Sequence, residues 1–389
     1  TLSSTRLNFS KVFGQNRVLN GIVNRKSNFS NQATVSTLAT FDTFDNATFF
    51  VDMLSLTTES VYIPFDINTL NLQEIKEQNI FNLGNLHIYG IVSPNDSDTD
   101  HYNFPLKTLR ANMKLNENLE LEYNYSETQE YYFLSGKPGG DIDKSIYTYD
   151  AFSNPYIGLN GESSSLEAIF KANKNFGISV LYQYEQYIQD LETRHDERKK
   201  YSTIRGFNIN LESNYGDKAS FFFARMEEEG SFLGSKVSGA FRLQDKTKTN
   251  IFGTIIEKYL SKEAKIYLSA FYGKTKVDSH QNSLFSEFET IESVSWSLGL
   301  LHDNVVTKND SIGLVVHQPV RAEYGSFSLD IPLYADYLGN IYFYNERYDL
   351  EPQGREINYE LFYEKDLSNY KMRFTSLFIK DGGHLAYGE

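Results

Sequence analysis

The chain has 389 residues, no cysteine and a formal net charge of −14, which excludes disulfide and thiolate chemistry and disfavours nucleic acid and anionic lipid surfaces as partners. Mean hydropathy is −0.45 and the apolar fraction 40%, and no run approaches the roughly 18 apolar residues that a membrane helix needs. Against this stand 28 Tyr and 29 Phe beside a single Trp, the aromatic excess of strands that are apolar on one face only and ringed by aromatics at both interfaces.

Residues 1–84 alternate weakly and are rich in Asn and Ser. The opening Thr1-Leu2-Ser3-Ser4-Thr5 has neither the basic start nor the apolar core of a signal peptide, so a processed or partial polypeptide is expected. Asn71-Leu72-Gln73-Glu74 resembles a capping box, and with Ile75 and Ile80 it predicts a short helix over Asn71–Phe81. This stretch is read as a linker and pore-plugging segment.

From about residue 85 the pattern changes to period two. Leu86, Ile88, Gly90 and Val92 share one face; so do Leu109, Ala111, Met113 and Leu115, with Arg110, Asn112, Lys114 and Asn116 opposite. Leu119, Leu121, Tyr123 and Tyr125 then alternate with Glu120, Glu122, Asn124 and Ser126. Similar runs cover 165–173, 176–188, 203–215, 218–229, 249–260, 264–277, 291–304, 310–324, 356–367 and 370–380. Phe221-Phe222-Phe223 and Ile255-Ile256 interrupt the alternation.

Connection lengths alternate as well. Short turns fall at 116–118, 173–175, 215–217, 261–263, 307–309 and 367–369, and long polar stretches at 127–164, 189–202, 230–248, 278–290 and 325–355. A soluble sandwich has no reason to segregate its loops in this way. The pattern predicts an all-β fold, a transmembrane antiparallel up-and-down β-barrel of 12–14 strands over 85–389, with the short turns periplasmic. Single-chain bacterial barrels have even strand numbers, so thirteen visible strands imply a fourteenth, expected as a descending strand after residue 389.

Scattered blocks carry a resemblance. Ser4–Gly14, Phe41-Asp42-Thr43-Phe44-Asp45 with Phe49–Met53, Gly230–Ser235 with Ser238-Gly239-Ala240-Phe241, Asp310–Leu314 through Gln318-Pro319-Val320-Arg321 and Gly325-Ser326, Gly354–Tyr359 and Gly383-His384 are the residues concerned. In order and spacing they resemble the carboxy-terminal region of autotransporter-type subtilisin-like serine proteases. The resemblance implies a type V secretion translocator of the bacterial outer membrane: an amino-terminal passenger reaches the cell surface while the barrel stays embedded. It also implies the barrel-assembly machinery, outer-membrane lipid and lipopolysaccharide, and the chain's own passenger as partners. Family barrels have twelve strands, fewer than the count here. The Asp-Thr-Gly, His-Gly-Thr and Gly-Thr-Ser-Met-Ala signatures of subtilisins are absent, so any protease would lie upstream of Thr1. A porin or uptake channel, and an anchor for a surface layer, are the competing functions.

No catalytic, cofactor-binding or metal site is expected. The seven histidines lack ligand spacing, although His302 and His317 flank one hairpin and could approach each other. Glu185 and Glu227-Glu228-Glu229 could bind Ca²⁺ at a rim, but a solvated acidic loop is the simpler reading. His195–Lys200 reads as a solvated tip, Gly136-Lys137-Pro138-Gly139-Gly140 as a turn, and Ser163-Ser164-Ser165 has no base beside it. The alternation sends Arg110, Lys114, Glu120, Glu122, Glu360, Glu364 and Arg373 inward, where they would pair with a plug or line a water path.

Overall fold

The structure is a computed structural model that describes residues 6–8, 10–13, 37–41, 48–52, 78–92, 106–126, 151–157, 159, 162–189, 198–238, 241–244, 246–280, 283–367 and 370–385. Three short strands come first: β1 (Arg6–Asn8), β2 (Thr37–Phe41) and β3 (Thr48–Asp52). The principal sheet begins with β4 (Gln78–Leu83), β5 (Leu86–Val92), β6 (Leu106–Lys114) and β7 (Leu119–Ser126). It continues with β8 (Glu162–Asn173), β9 (Phe176–Gln189), β10 (Arg198–Glu212) and β11 (Lys218–Glu228). A small hairpin, β12 (Ser231–Phe232) and β13 (Ser235–Ser238), precedes β14 (Thr247–Tyr259) and β15 (Ala264–Lys276). The short β16 (Phe285–Phe288) leads to β17 (Ile291–Asp303) and β18 (Asp310–Tyr324). A projecting hairpin, β19 (Ser326–Ala335) and β20 (Ile341–Asp349), then precedes β21 (Ile357–Leu367) and β22 (Tyr370–Lys380).

Fourteen of these strands form one antiparallel meander in which each strand pairs with the next of the series, from β4 to β22. Tight connections gather at one end: Gly84, at φ +58°, allows the two-residue turn from β4 to β5, and Asn304 and Asn309 adopt positive φ between β17 and β18. Asp310 organises that turn by accepting from the Val305 amide (2.8 Å), from the Thr307 amide (2.7 Å) and from the Thr307 hydroxyl (2.9 Å). The strand ends joined by the long connections all lie at the opposite end, the loop face. Short and long connections are therefore segregated as the sequence predicts.

Gly253 lies opposite Phe271 and Gly313 opposite Phe362. In each pair the aromatic ring lies flat over the glycine, where a Cβ would overlap it. Both rings are buried, so each pair locks two adjacent strands on the inner face.

Three expectations need correction. The helix expected over Asn71–Phe81 gives way, from Gln78, to β4, which pairs with β5; residues 71–77 lie outside the described residues. A capping box supplies a helix start only where an apolar face can be buried, and Ile80 instead falls at a bulge in a strand that pairs along one edge with β5. The sheet thus begins at Gln78 rather than 85, and β4 is its fourteenth strand among the described residues; the strand expected after residue 389 lies outside them. The closed barrel is not shown, since among the described residues no ladder joins β22 to β4.

The stretch 325–355, expected as a polar loop, contains β19 and β20, which with β16 form a three-stranded sheet of their own. Glu289 pins this sheet to the start of β17. Its carboxylate accepts from the Ser326 hydroxyl at 2.8 Å and pairs with Arg347 at 2.7 Å. The Ser326 hydrogen bond, with Arg347 behind it, holds this carboxyl below its ordinary value near 4.5. As pH falls, the unfolded segment takes up the proton first. The anchoring is therefore complete above about pH 4.5 and is lost as pH falls through the lower, folded value. Amide exchange in β19–β20 should accelerate below that pH in the native chain, and the acid-dependent step should vanish in Glu289→Gln.

Candidate functional site

The two faces of the large sheet differ sharply. One face carries Leu166, Phe170, Val180, Tyr182, Phe207, Phe221, Phe252, Leu268, Leu298, Leu300, Leu314 and Leu361, all exposed. The alternate residues are buried and largely polar: Ser163, Ser165, Glu167, Ser179, Gln183, Glu185, Asn208, Glu257, Ser269, Thr275, Ser297, His317 and Glu360. In water this arrangement exposes the apolar side chains and buries the polar ones; in lipid it does the reverse of harm. This is the pattern expected of the wall of a membrane-spanning β-barrel.

On the same outward face Tyr123, Leu298, Leu300 and Leu314 are exposed, and Leu119, Leu121, Trp296, Ile312 and Val316 lie half-buried. The Phe221-Phe222-Phe223 run is resolved by alternation. Phe223 faces outward and stacks on Phe207 at 5.1 Å, while Phe222 faces inward against Phe271.

The interior is occupied. Residues 151–157, within the long β7–β8 connection, run toward the loop face along the inner surface of β15 and β17. Tyr156, wholly buried, rests over Gly273 and bonds the Ser293 hydroxyl at 2.9 Å and carbonyl at 3.2 Å. Burial pushes its phenol well above the ordinary tyrosine value. Nearer the turns, the Ser269 hydroxyl donates to the Ala151 carbonyl at 2.7 Å, and Phe152 packs on Tyr267 at 5.6 Å. A second apolar group, Tyr267, Leu301, Val315 and Phe362, receives Ala151 and Phe152 there.

The amino-terminal segment is built into a cap at the loop face. Glu228, buried at the end of β11, accepts from the Leu233 amide (2.8 Å), the Gly234 amide (2.9 Å) and the Ser231 hydroxyl (2.9 Å). These bonds fix a turn with positive φ at Leu233 and Gly234, the form that matches strand twist in a two-residue hairpin. The resulting β13 pairs antiparallel with β1, Arg6 opposite Ser238 and Asn8 opposite Lys236. The Ser10 amide donates to the Ser235 hydroxyl at 2.8 Å, and the Ser10 hydroxyl to the Leu233 carbonyl at 2.6 Å. Val12 and Phe13 are buried, with Phe13 edge-on to Phe232 at 5.4 Å. One apolar cluster then runs from these residues through Phe241, Phe285, Phe288 and Phe327 down to Tyr156 and the inner wall.

Each buried donor deprived of its acceptor costs roughly 1–3 kcal/mol. Glu228→Ala, which strips three donors, should therefore free the segment before it damages the wall. The expected result is proteolytic cleavage near Ser10 with the remaining barrel intact; resistance equal to the native chain would refute the carboxylate's role.

A polar clasp completes the cap. Arg321, buried on β18, donates to the Gly354 carbonyl at 3.0 Å and pairs with Glu323 (2.6 Å) and Glu351 (3.3 Å). Arg355 reaches Gln318 and both oxygens of Glu323. His384, in the turn after β22, accepts the Glu356 amide at Nδ1 (2.9 Å) and presents Nε2 to the Val320 carbonyl (3.0 Å), which fixes the Nε2-protonated tautomer. Burial holds this imidazole below its ordinary value, so it stays neutral. The described residues of the blocks at 4–14, 230–241, 318–326, 354–359 and 383–384, far apart in sequence, thus meet in one place. Nothing in their separate sequences indicated that meeting.

Other singled-out residues separate. His302 and His317 face opposite sides of the sheet, His302 bonding the Asp303 carbonyl and His317 the Ser297 hydroxyl, so the geometry offers them no shared ligand. Among the described residues no group of three His, Asp or Glu could hold a metal ion. Glu227 pairs with Arg225 and Glu229 with Lys200, while Glu185 lies buried in the wall against Gln183. Ser163 and Ser165 face inward, and Ser164 lies on the opposite face near the Tyr123 hydroxyl. Inside, Arg110 pairs with Glu122 at 3.5 Å and Lys171 with Glu120 at 3.6 Å; Lys114 is exposed at the turn end, and Glu360 and Glu364 are buried. The side chain of Arg373, residues 136–140 and residues 195–197 lie outside the described residues.

No family model and no curated protein matches the chain. Among solved structures it is similar to the loop L8 deletion mutant of OmpT, an outer membrane protein of Vibrio cholerae, at 10% identity and a TM-score of 0.41, over 78% of this chain and 83% of that one.

Proposed function

We propose that this chain is an outer-membrane barrel that serves as translocator and anchor for an amino-terminal passenger displayed on the loop face. The observation that carries the reading is the seating of Arg6–Phe13 in the cap, through the β1–β13 ladder, the two Ser10 hydrogen bonds and the burial of Val12 and Phe13. A polypeptide joined ahead of this segment leaves the barrel at the loop face, where a surface domain would have to be.

The route differs from the one the sequence suggested. β4 enters the sheet from the loop face, and residues 6–13 dock at that same face. A linker between them therefore need not cross the lumen, and the described interior occupant is the 151–157 segment instead of a plug drawn from 1–84. That segment and the apolar cap also disfavour a diffusion porin, which needs a polar, open passage. No catalytic role is proposed, since the buried polar groups of the wall are spread along strands and pair locally.

The test is a fusion. A compact reporter domain joined ahead of Thr1, behind an export signal, should be labelled by antibody on intact cells and be removed by external protease. A folded barrel whose reporter is reached only after the outer membrane is broken would contradict the proposal.

A further inference from the structure

The loop-side half of the outward face between β10 and β15 has an arrangement that neither lipid burial nor display explains. One register row runs Phe207, Phe223, Phe252 and Tyr272 across β10, β11, β14 and β15. The next outward row towards the loop face runs Arg205, Arg225, Asn250 and Lys274 on the same strands. Beyond it, Lys248 stands opposite Lys276. Arg205 and Arg225 are likewise directly opposed, and all five bases are exposed. Strands lie about 4.8 Å apart and alternate residues about 6.8 Å along a strand, so the five charges fall within roughly 15 Å.

Two like-charge pairs facing each other across strands are unfavourable unless an anion bridges them. The local acids do not suffice. Glu227 takes Arg225 at 3.6 Å and Glu292 takes Lys274 at 3.7 Å. Arg205 lies over the Tyr182 ring at 5.9 Å, and among the described residues neither it, Lys248 nor Lys276 has an ion-pair partner. Just past the strand ends, Arg242 and Lys246 add two exposed bases and Asp278 one acid. This basic surface stands out on a chain whose net charge is −14.

We propose that this surface binds the phosphate groups of a lipid in the leaflet it faces. The proposal rests on the membrane reading above and assigns that wall a specific partner. The aromatic row directly below the bases, with Phe207 stacked on Phe223 and Phe223 edge-on to Phe252, decides between a lipid and a free anion. Phosphate oxygens meet the guanidinium forks of Arg205 and Arg225 and the ammonium groups of Lys248 and Lys276, while acyl chains lie along Phe207, Phe223 and Phe252. The overall charge of the chain argues against anionic surfaces, but charges farther than a Debye length of about 8 Å are screened, so this patch sets the local field.

The experiment uses the full chain refolded into phosphatidylcholine vesicles, with bis-phosphorylated lipid A and dephosphorylated lipid A as probes. Folding is read by heat-modifiable gel mobility and binding by the shift in thermal unfolding. The native chain should be stabilised by the phosphorylated probe only. Arg205→Gln with Arg225→Gln should fold normally and lose about tenfold or more in apparent affinity, and Lys248→Gln with Lys276→Gln should lose a comparable amount. Equal stabilisation by both probes, or undiminished binding in both double variants, would overturn the proposal. Competition by inorganic phosphate at equal concentration would also overturn it, since the site would then recognise a free anion. Failure of the native chain to enter neutral vesicles at all would instead remove the membrane reading and the site with it.

Discussion

Replacing residues 151–157 with a Gly-Ser linker of equal length is expected to convert a barrel of low conductance into one with clear, stepwise channels in planar bilayers. The segment lies along the inner face of β15 and β17: Tyr156 meets Ser293 near the loop face, and Ala151 meets Ser269 and Phe152 meets Tyr267 nearer the turns. The linker retains none of these bonds and none of the ring volume. Gly273→Leu should act in the same direction by a different route, since the Tyr156 ring already lies where a side chain at 273 would go. Truncating a buried aromatic costs about 3–5 kcal/mol, so the linker should leave the inner face, and overlap with the Tyr156 ring should expel the segment in Gly273→Leu. The contrasting arm deletes all residues before Gln78. Channels that open with this deletion, and stay shut when 151–157 is replaced, would place the obstruction in the amino-terminal region and refute the assignment made here.

The second large effect concerns the outer surface. Leu298 lies midway along β17, between Leu268 of β15 and Val316 of β18, with Trp296 and Leu300 on either side along its own strand. An arginine at the bilayer midplane of a barrel costs about 2–4 kcal/mol, so Leu298→Arg alone should shift folding in vesicles markedly. Leu268→Arg with Leu298→Arg should abolish insertion, because the two charges would also face each other across strands. Tyr337→Arg, at the 92% exposed tip of the β19–β20 hairpin, should have no such effect. Equal tolerance at all three positions, scored by the heat-modifiable band, would mean that the outward face does not meet lipid.

The strands were legible because side chains at period two report which face is buried, and because the chain separates short turns from long ones. Leu119, Leu121 and Tyr123 against Glu120, Glu122 and Asn124 show this directly, and the structure pairs Glu122 with Arg110 across the inner face. β4 was missed because Asn71–Glu74 matches a helix start, and a six-residue strand is too short for its periodicity to compete. The β19–β20 hairpin was missed for a related reason. Tyr342, Phe343 and Tyr344 place aromatics on both faces and all three are exposed, so no alternation marks the strand.

The candidate site was far less legible. Glu228 reads as the middle of an acidic rim run, yet it is buried and organises a turn, a role that depends on amides five and six residues ahead folding back on it. Ala151–Ile157 carries no periodicity and no motif; its place in the lumen follows from the small Gly273 and from Ser269 and Ser293, which lie more than a hundred residues away in sequence. The basic surface on β10–β15 is invisible in sequence for the same reason, since Arg205, Arg225, Lys248 and Lys276 become neighbours only through register.

The most direct measurement of the central claim uses the absence of cysteine from the chain. Single cysteines at Tyr337, on the loop face, and at Val306, in a short turn, give two exposed reporters at opposite ends of the wall. On intact cells a membrane-impermeant maleimide should label Tyr337→Cys and leave Val306→Cys unmodified until the outer membrane is permeabilised. Labelling of Val306→Cys on intact cells, or of both positions equally, would contradict an outer-membrane barrel whose loop face, with its docked amino-terminal segment, looks out from the cell.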